Sequence, residues 1–501
     1  MKYNFLWFCL VFTGLNLSGQ TAPEIVAQCI EAHGGKDNIM AFQYVKTTYI
    51  QHINMVEQSE RPTGPYIHDY QFGTKITDIK QQRSQLIGKL SGPVYGTPNW
   101  LEIEYRYADE VLARGFNGRW IPMNAQLMDY KEQLYYSPEQ VLLHLVNASA
   151  IKLEGKQTLQ GVDNWKVNVQ TKDDNFTVFI NYYTNMITAV EYESAYTPEE
   201  YFFWSFWGDY KTQIYYSSYN IFSPGILYPM QTDVIKNGWD YRSTTITSLE
   251  FNSLASDTIF NIPEEVKQLA ATQAKAGNTR LTWSATQKEE VAPGINLYKG
   301  AWNVTFVEQK DGIVIIEAPI SSDYCEQAIQ AARQQFPDKP IKAVITTSDA
   351  WPHLAGLRQY AAEKIPIYAL DLNQFIIDKL LNSNFKTHPD AFAKTPQKPS
   401  IHWVNQKNII KDEQLPIEIY PIRGEGGERM LMVYFPKQQV LYASDLVQKN
   451  ARTGEFFMPG YLVEVKNAAK REGLSVKKVF AMHTAPIDWS EMTDAIEASK
   501  K

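Results

Sequence analysis

The sequence predicts an α+β protein of two domains, the first rich in antiparallel β-strands and the second a sheet-on-sheet sandwich with helices outside. Three observations carry this prediction. The 501 residues exceed what one hydrophobic core usually holds. Residues 44–262 form many short runs rich in Tyr, Thr, Val and Ile in which apolar and polar residues alternate. From residue 291 onwards, strand-like and helix-like patterns follow one another.

The first 20 residues have the layout of a signal peptide. One basic residue, Lys2, precedes an apolar run over residues 5–15, and small and polar residues follow up to Gln20. This apolar run is too short to span a bilayer. The alternative to a signal peptide is a buried N-terminal strand or helix. We therefore expect export to the periplasm or the medium and, because no second long apolar run exists, no transmembrane span in the mature chain.

The amino-acid composition bears on two questions, whether the protein binds nucleic acid and whether it contains disulfides. The formal charge of −7 and the absence of a run of basic residues argue against a nucleic-acid partner. After removal of the signal peptide only Cys29 and Cys325 remain, in different predicted domains, so a disulfide framework is not expected. The sequence leaves the oligomeric state open.

The first domain is predicted over residues 21–265. A helix begins it, a second helix is expected near residues 138–145, and turn signals such as Asn237-Gly238 separate the strands. The run from Leu153 to Gly161, the strand around Pro229 and the closing segment from Asp257 to Pro263 resemble the half-barrel of periplasmic lipoprotein carriers. This resemblance implies an antiparallel half-barrel.

One segment of this domain is unusually aromatic. Residues 201–207 read Tyr-Phe-Phe-Trp-Ser-Phe-Trp. Trp204 and Trp207 are predicted to line a groove for a small-molecule or lipid-like ligand. The alternative is that they belong to the core or to the contact between the domains, where aromatic residues are common.

Residues 266–290 are mostly small, polar and charged, which predicts a linker that is partly helical. The second domain is then predicted over residues 291–495. Its central stretch is the buried strand that begins at Val344, a polar loop carrying Trp351 and His353, and a helix that opens near Gly356. Loops at the carboxyl ends of strands are where α/β proteins place their sites, so chemistry is expected here.

This stretch resembles the metallo-β-lactamase signature, in which Thr-His-x-His-x-Asp-His precedes a helix start. The segments ending at Asp445 and at His483 resemble two further metal-binding strands of that superfamily. The resemblance implies an αββα sandwich and one or two zinc or iron ions. The family's ligand positions fall at Ser348, Ala350 and Gly426 for one metal, and at Pro352, His353, Asp445 and His483 for the other.

The metal ligands that this sequence lacks therefore belong mostly to one of the two metals. The first metal has no ligand left, whereas the second keeps His353, Asp445 and His483, a set that can hold one zinc ion with a water in the fourth position. Pro352 has no side-chain base or ligand atom. The resemblance thus implies a hydrolase-like protein with at most one zinc, and the alternative is a non-catalytic pseudoenzyme that binds a ligand or partner.

Residues near the missing ligands offer two possible substitutes for the metal chemistry. Asp349, Glu425 or Glu428 offer oxygen ligands to a hard cation. Ser348 as a nucleophile with His353 as its base is a further alternative, although the glycines of a nucleophile elbow are missing. The remaining alternative is that His353 and His483 are purely structural histidines and that no metal is bound.

Overall fold

The computed structural model describes residues 20–56, 64–92, 100–108, 111–114, 118–123, 129–195, 207–253, 256–276, 283–300, 302–449 and 454–500. The predicted signal peptide, apart from its last residue, and Trp204 lie outside these ranges. Among the residues described, no helix is both long and apolar enough to cross a membrane.

The first domain is built on one large antiparallel sheet. Its strands are β1 Tyr44–Asn54, β2 His68–Asp78, β3 Arg83–Ser91, β4 Leu101–Tyr107, β5 Val111–Arg114, β6 Trp120–Met123, β7 Ala150–Leu159, β8 Val162–Gln170, β9 Asn175–Asn181, β10 Ile187–Ala195, β11 Asp209–Phe222, β12 Ile226–Lys236 and β13 Trp239–Phe251. They follow the order β6-β5-β4-β3-β2-β1-β13-β12-β11-β10-β9-β8-β7. Consecutive strands pair with each other except β6 and β7, which form the two edges of the sheet, and β1 pairs with β13.

Helices cover one face of this sheet. They are α1 Ala22–Ala32, α2 Lys36–Met40 and α3 Pro138–Val146, the last preceded by a π-helical turn, Lys131–Tyr135. Ile25 of α1 and Val141 of α3 share a core cluster with Val178 of β9 and Ile214 of β11. The alternation in β1, where Val45, Thr47 and Tyr49 are buried and Ile50 is exposed, shows which face the helices cover.

The predicted linker contains regular structure at both ends. Helix α4 spans Glu264–Ala276, and β14 begins the second domain at Lys288–Ala292. The low hydrophobicity that predicted a linker agrees with the exposed surface of α4, where Glu264, Glu265 and Lys267 face solvent.

The second domain contains two mixed sheets. Strands β14, β15 Ile295–Tyr298, β16 Val304–Gln309, β17 Gly312–Ile316, β18 Ile341–Ile345, β19 Ile367–Leu370 and β20 Ile401–Val404 form the first, in sequence order. Strands β21 Asn408–Ile410, β22 Ile417–Pro421, β23 Leu431–Phe435, β24 Val440–Tyr442, β25 Lys478–Ala481 and β26 Thr484–Asp488 form the second. The pairs from β17 to β20 and the β24–β25 pair are parallel.

The helices of this domain are α5 Ser322–Gln335, α6 Trp351–Leu354, α7 Leu357–Ala362, α8 Gln374–Asn382, α9 Ala391–Lys394, α10 Pro459–Arg471 and α11 Trp489–Ala498. One core cluster joins Ile329 of α5 and Phe306 of β16 to Val433 of β23. A second cluster joins Tyr434, on the other face of β23, to Leu462 of α10. The two sheets therefore pack against each other, with α5 outside one and α10 outside the other.

The two domains contact each other directly. Trp207 is 3% exposed and belongs to the core cluster of the second domain. The carboxylate of Asp209 accepts hydrogen bonds from the backbone of Lys386 at 2.7 Å and of Thr387 at 3.2 Å. Lys379 Nζ lies 4.0 Å from the ring centre of Trp239. Apolar, hydrogen-bonding and cation–π contacts thus all tie the domains together.

Candidate functional site

The central stretch places His353 in the interior of the second domain. Strand β18 ends at Ile345, and the short helix α6 lies within the segment predicted to be a loop. The backbone carbonyl of His353 accepts hydrogen bonds at 3.0 Å from both the Thr346 hydroxyl and the Ala318 amide. These contacts hold His353 against the ends of β17 and β18, where its side chain is fully buried.

Two carboxylates occupy the two ring nitrogens of His353. Nδ1 lies 2.9 Å from Oε2 of Glu317, and Nε2 is hydrogen-bonded to Oδ2 of Asp445 at 2.7 Å. Burial alone would lower the pKa of His353, but the two carboxylates outweigh it and raise that pKa to about 10. The imidazole is therefore protonated at neutral pH and has no free lone pair.

Glu317 is the member of this group that the sequence did not reveal. It is fully buried, follows β17 directly, and has a backbone φ of +83°, a conformation that side chains other than glycine rarely adopt. Its Oε1 accepts hydrogen bonds from the Thr347 hydroxyl and, at 2.7 Å, from the Tyr442 hydroxyl. The sequence does contain one signal for Glu317. Its carboxylate follows an entirely apolar strand, and a carboxylate buried there needs hydrogen-bonding or charged partners.

His483 completes the group from the end of β25. Its Nε2 lies 3.4 Å from Oδ1 of Asp445, and about a quarter of each side chain is exposed. Burial would raise the pKa of Asp445, but His353 and His483 together lower it to about 2. Burial and the positive charge of His353 lower the pKa of His483. The structure thus brings the three predicted metal ligands together, with Glu317 as a fourth member.

The other half of the signature carries no ligand group. Ser348 and Ala350 are buried, and the Ser348 hydroxyl accepts a hydrogen bond from the Ala350 amide at 3.2 Å. The amides of Glu425, Gly426 and Gly427 donate to the carboxylate of Glu464 at 2.8–3.0 Å. A Cβ atom at Gly426 would lie 2.3 Å from the ring of Tyr461. A side chain from α10 therefore occupies this loop, and a larger residue at Gly426 would clash.

The residues at the second position do not fit a zinc ion as they are arranged. Bonds of about 2.0–2.2 Å to a tetrahedral zinc place neighbouring ligand atoms roughly 3.4 Å apart, and each imidazole must offer a lone pair. The 2.7 Å between His353 and Asp445 is a hydrogen-bond distance, and the raised pKa of His353 favours a ring that carries both protons. Across the described residues, no three His, Cys, Asp or Glu side chains are grouped so that they could hold a metal.

The other sequence-based alternatives gain no support from this geometry. A protonated His353 cannot act as a base for Ser348, whose hydroxyl faces the Ala350 amide instead. Glu425 is exposed, and its backbone is bound to Glu464. Asp349 is buried. Trp207 lies in the core of the second domain, so its burial favours the core interpretation over a ligand groove, while the role of Trp204 stays a prediction.

The first domain contains a cleft that the sequence did not indicate. It is a small cavity of about 80 Å³ between β1, β2, β12 and β13 and the start of α3. Its lining comprises Val45, Thr47, Tyr49, Gln51, Lys75, Thr77, Glu132, Gln133, Tyr136, Ser137, Pro138, Glu139, Tyr228, Thr232, Arg242, Thr244 and Ile246.

A buried group of four charges stands at one end of this cleft. Lys236 Nζ lies 2.6 Å from Asp129 and 2.7 Å from Glu132, and Arg242 pairs with the other oxygen of Asp129. Burial alone would lower the pKa of Lys236, but these carboxylates hold it well above its ordinary value. The four charges therefore compensate one another within the protein.

Comparison with solved structures finds similar chains. The chain is similar to metallo-β-lactamases. It matches the DIM-1 metallo-β-lactamase at 16% identity and a TM-score of 0.33, covering 42% of this chain and 96% of that one. It matches the metallo-β-lactamase from Pontibacter korlensis at 14% identity and a TM-score of 0.34, covering 43% and 98%. The likeness predicted from the central stretch is thus confirmed.

A larger enzyme also matches. The sec-alkylsulfatase Pisa1 from Pseudomonas sp. is 15% identical with a TM-score of 0.32, covering 42% of this chain and 40% of that one. No protein-family model and no curated protein matches the chain.

Proposed function

We propose that this chain is an exported ligand-binding protein whose second domain is a non-catalytic relative of the metallo-β-lactamases. In this interpretation the second domain is an αββα sandwich of metallo-β-lactamase type, and the first is a half-barrel that holds the ligand. The N-terminal signal-peptide pattern supports export. A non-catalytic protein that binds a ligand or partner is the alternative to a zinc hydrolase that the sequence left open.

The observation that carries this proposal is the environment of His353. Its Nε2 is hydrogen-bonded to Asp445 at 2.7 Å, its Nδ1 lies 2.9 Å from Glu317, and the two carboxylates raise its pKa to about 10, which favours a ring that carries both protons. Binding zinc at Nε2 would require loss of a proton, separation of His353 from Asp445 and an uncompensated Glu317 in the interior. Each change costs free energy because a buried carboxylate loses its counter-charge.

The small cleft of the first domain, about 80 Å³ and lined by polar and aromatic side chains, is the site that this proposal assigns to the ligand. A mononuclear zinc hydrolase remains the second candidate. The 3.4 Å between His483 Nε2 and Asp445 Oδ1 favours it, because that spacing matches two ligands of one tetrahedral ion.

Metal content separates these two functions. The purified mature chain would be incubated with zinc, dialysed and measured by elemental mass spectrometry, with Asp445→Ala and His402→Ala as test and control variants. We expect substoichiometric zinc in all three proteins and no zinc-dependent hydrolysis of ester, lactone or amide substrates. One zinc per chain that Asp445→Ala loses and His402→Ala keeps would instead establish the hydrolase candidate.

A further inference from the structure

Two histidines lie next to each other on the outer face of the first domain's sheet. His52 of β1 pairs with Tyr70 of β2 in the antiparallel register, and His68 precedes Tyr70 by two residues, so the three side chains share one face. Ile50, two residues before His52 on the same face, is exposed, so this is the face that α1–α3 leave uncovered. The two histidines are distant in the sequence, and only the register of the β1–β2 pair brings them together.

The spacing of the two imidazole rings suits a shared metal ion. The ring centroids of His52 and His68 lie 5.1 Å apart. Bonds of about 2.0–2.1 Å from one tetrahedral zinc ion to two imidazole nitrogens place the ring centroids roughly 5 Å apart. Both side chains are only partly buried, so a metal ion can reach them from solution and keep water in its other positions.

A hydrogen bond orients the ring of His68 for this role. Its Nδ1 lies 2.7 Å from the side-chain oxygen of Asn54, which can only accept, so Nδ1 carries the proton and Nε2 of the neutral ring keeps its lone pair. The side-chain amide of Asn54 donates in turn to the backbone carbonyl of Asp240 at 2.7 Å. Burial and the neighbouring His52 lower the pKa of His68, so its ring is neutral at neutral pH. Metal-binding histidines usually donate their other ring N–H in this way.

From this arrangement we propose that His52 and His68 form a two-histidine site for a divalent transition-metal ion such as zinc, bound through one ring nitrogen of each histidine. Imidazole nitrogen suits zinc and copper, whereas magnesium and calcium prefer oxygen ligands. No third His, Cys, Asp or Glu of the described residues joins the pair, so the site is weaker than one with three or four protein ligands and releases its ion on dialysis. The inference is independent of the proposed function, because it uses neither the second domain nor the cavity of the first.

Calorimetric titration of the full mature chain with zinc chloride at pH 7 tests the site at equilibrium, with magnesium chloride as the control ion. We expect one reversibly bound zinc per chain and no binding of magnesium. His52→Gln and His68→Gln should each weaken zinc binding roughly tenfold or more, because a single imidazole remains. His402→Gln, at an exposed histidine stacked on Tyr368, is the matched control and should bind as the wild type does. At pH 5 the wild type should lose the zinc, because protons compete for the same ring nitrogens.

The outcomes separate this site from the one in the second domain. Zinc binding that is unchanged in His52→Gln and His68→Gln, or that does not weaken between pH 7 and pH 5, overturns the inference. The pH comparison uses the wild type alone, so it decides the question even if a variant fails to fold. Zinc binding that Asp445→Ala loses and His52→Gln keeps also overturns the inference and supports the zinc hydrolase candidate instead. No zinc binding by the folded wild type overturns the inference and leaves the proposed function as it stands.

Discussion

The two domains each bury a group of charged side chains, and the groups differ in how their charges are balanced. In the first domain, Asp129 and Glu132 face Lys236 and Arg242, two acids against two permanent cations. In the second, Glu317 and Asp445 flank His353, whose positive charge exists only while its ring holds both protons. The first group should therefore be insensitive to pH near neutrality, whereas the second should depend on it.

This difference concerns how each group obtains its charge balance. Asp129 and Glu132 pair with Lys236 and Arg242. In the second domain, Asp445 contacts both His353 and His483, and Glu317 contacts His353. The charge balance of the second group therefore depends on the protonation of His353.

The largest expected effect is the loss of a permanent cation from the first group. Lys236→Met leaves Asp129 with Arg242 alone and Glu132 with no cation, so we expect the free energy of unfolding to fall by roughly 3–5 kcal/mol. Urea denaturation followed by circular dichroism measures this change. The control is Lys211→Met, whose half-exposed ion pair with Glu191 should contribute about 1 kcal/mol or less. Similar losses of unfolding free energy in both variants would show that the buried ion pairs stabilise the fold no more than the half-exposed pair does.

The pH dependence of the second group should be next in size. A pKa raised to about 10 in the folded protein means that His353 binds a proton more tightly when folded. Its contribution is therefore fully present below the unfolded pKa of about 6.5 and is lost as the pH rises towards 10. Between pH 7 and 9 we expect the free energy of unfolding to fall by at most about 1.4 kcal/mol per pH unit through this residue.

Comparison of variants assigns this slope to His353. Urea denaturation at pH 7, 8 and 9 should show the slope in the wild type and in His402→Gln, a change at an exposed histidine. His353→Gln should be less stable at pH 7, because it removes the imidazolium between two carboxylates, and should lose the slope. A wild-type stability that does not change over this range would contradict the protonated state of His353.

The smallest expected effect concerns the hydroxyl that supports Glu317. Tyr442→Phe removes a hydrogen bond of 2.7 Å to a buried carboxylate, so we expect a loss of about 1–2 kcal/mol while the pH slope persists. Tyr434→Phe removes a bond of the same length to the neutral carbonyl of Ser475 and should cost less. Equal losses, measured by urea denaturation, would indicate that Glu317 does not gain from Tyr442.

Local pattern was sufficient for most of the secondary structure. The helix predicted near residues 138–145 is α3, because helical periodicity acts within a few residues. Strand β26 and helix α11 were not predicted. They follow His483, where Pro486 and a mixed sequence weaken both periodic signals, and packing on β25 and α10 decides their form.

The sequence alone determined that Ser348, Ala350 and Gly426, the positions that the resemblance assigns to one metal, have no side chain able to replace a histidine. It also identified His353, Asp445 and His483 as neighbours through their resemblance to a signature. Only the tertiary structure decided what these neighbours do, because Glu317 reaches His353 from a different strand and determines its protonation. Charge balance depends on distances in space, which a linear pattern does not contain.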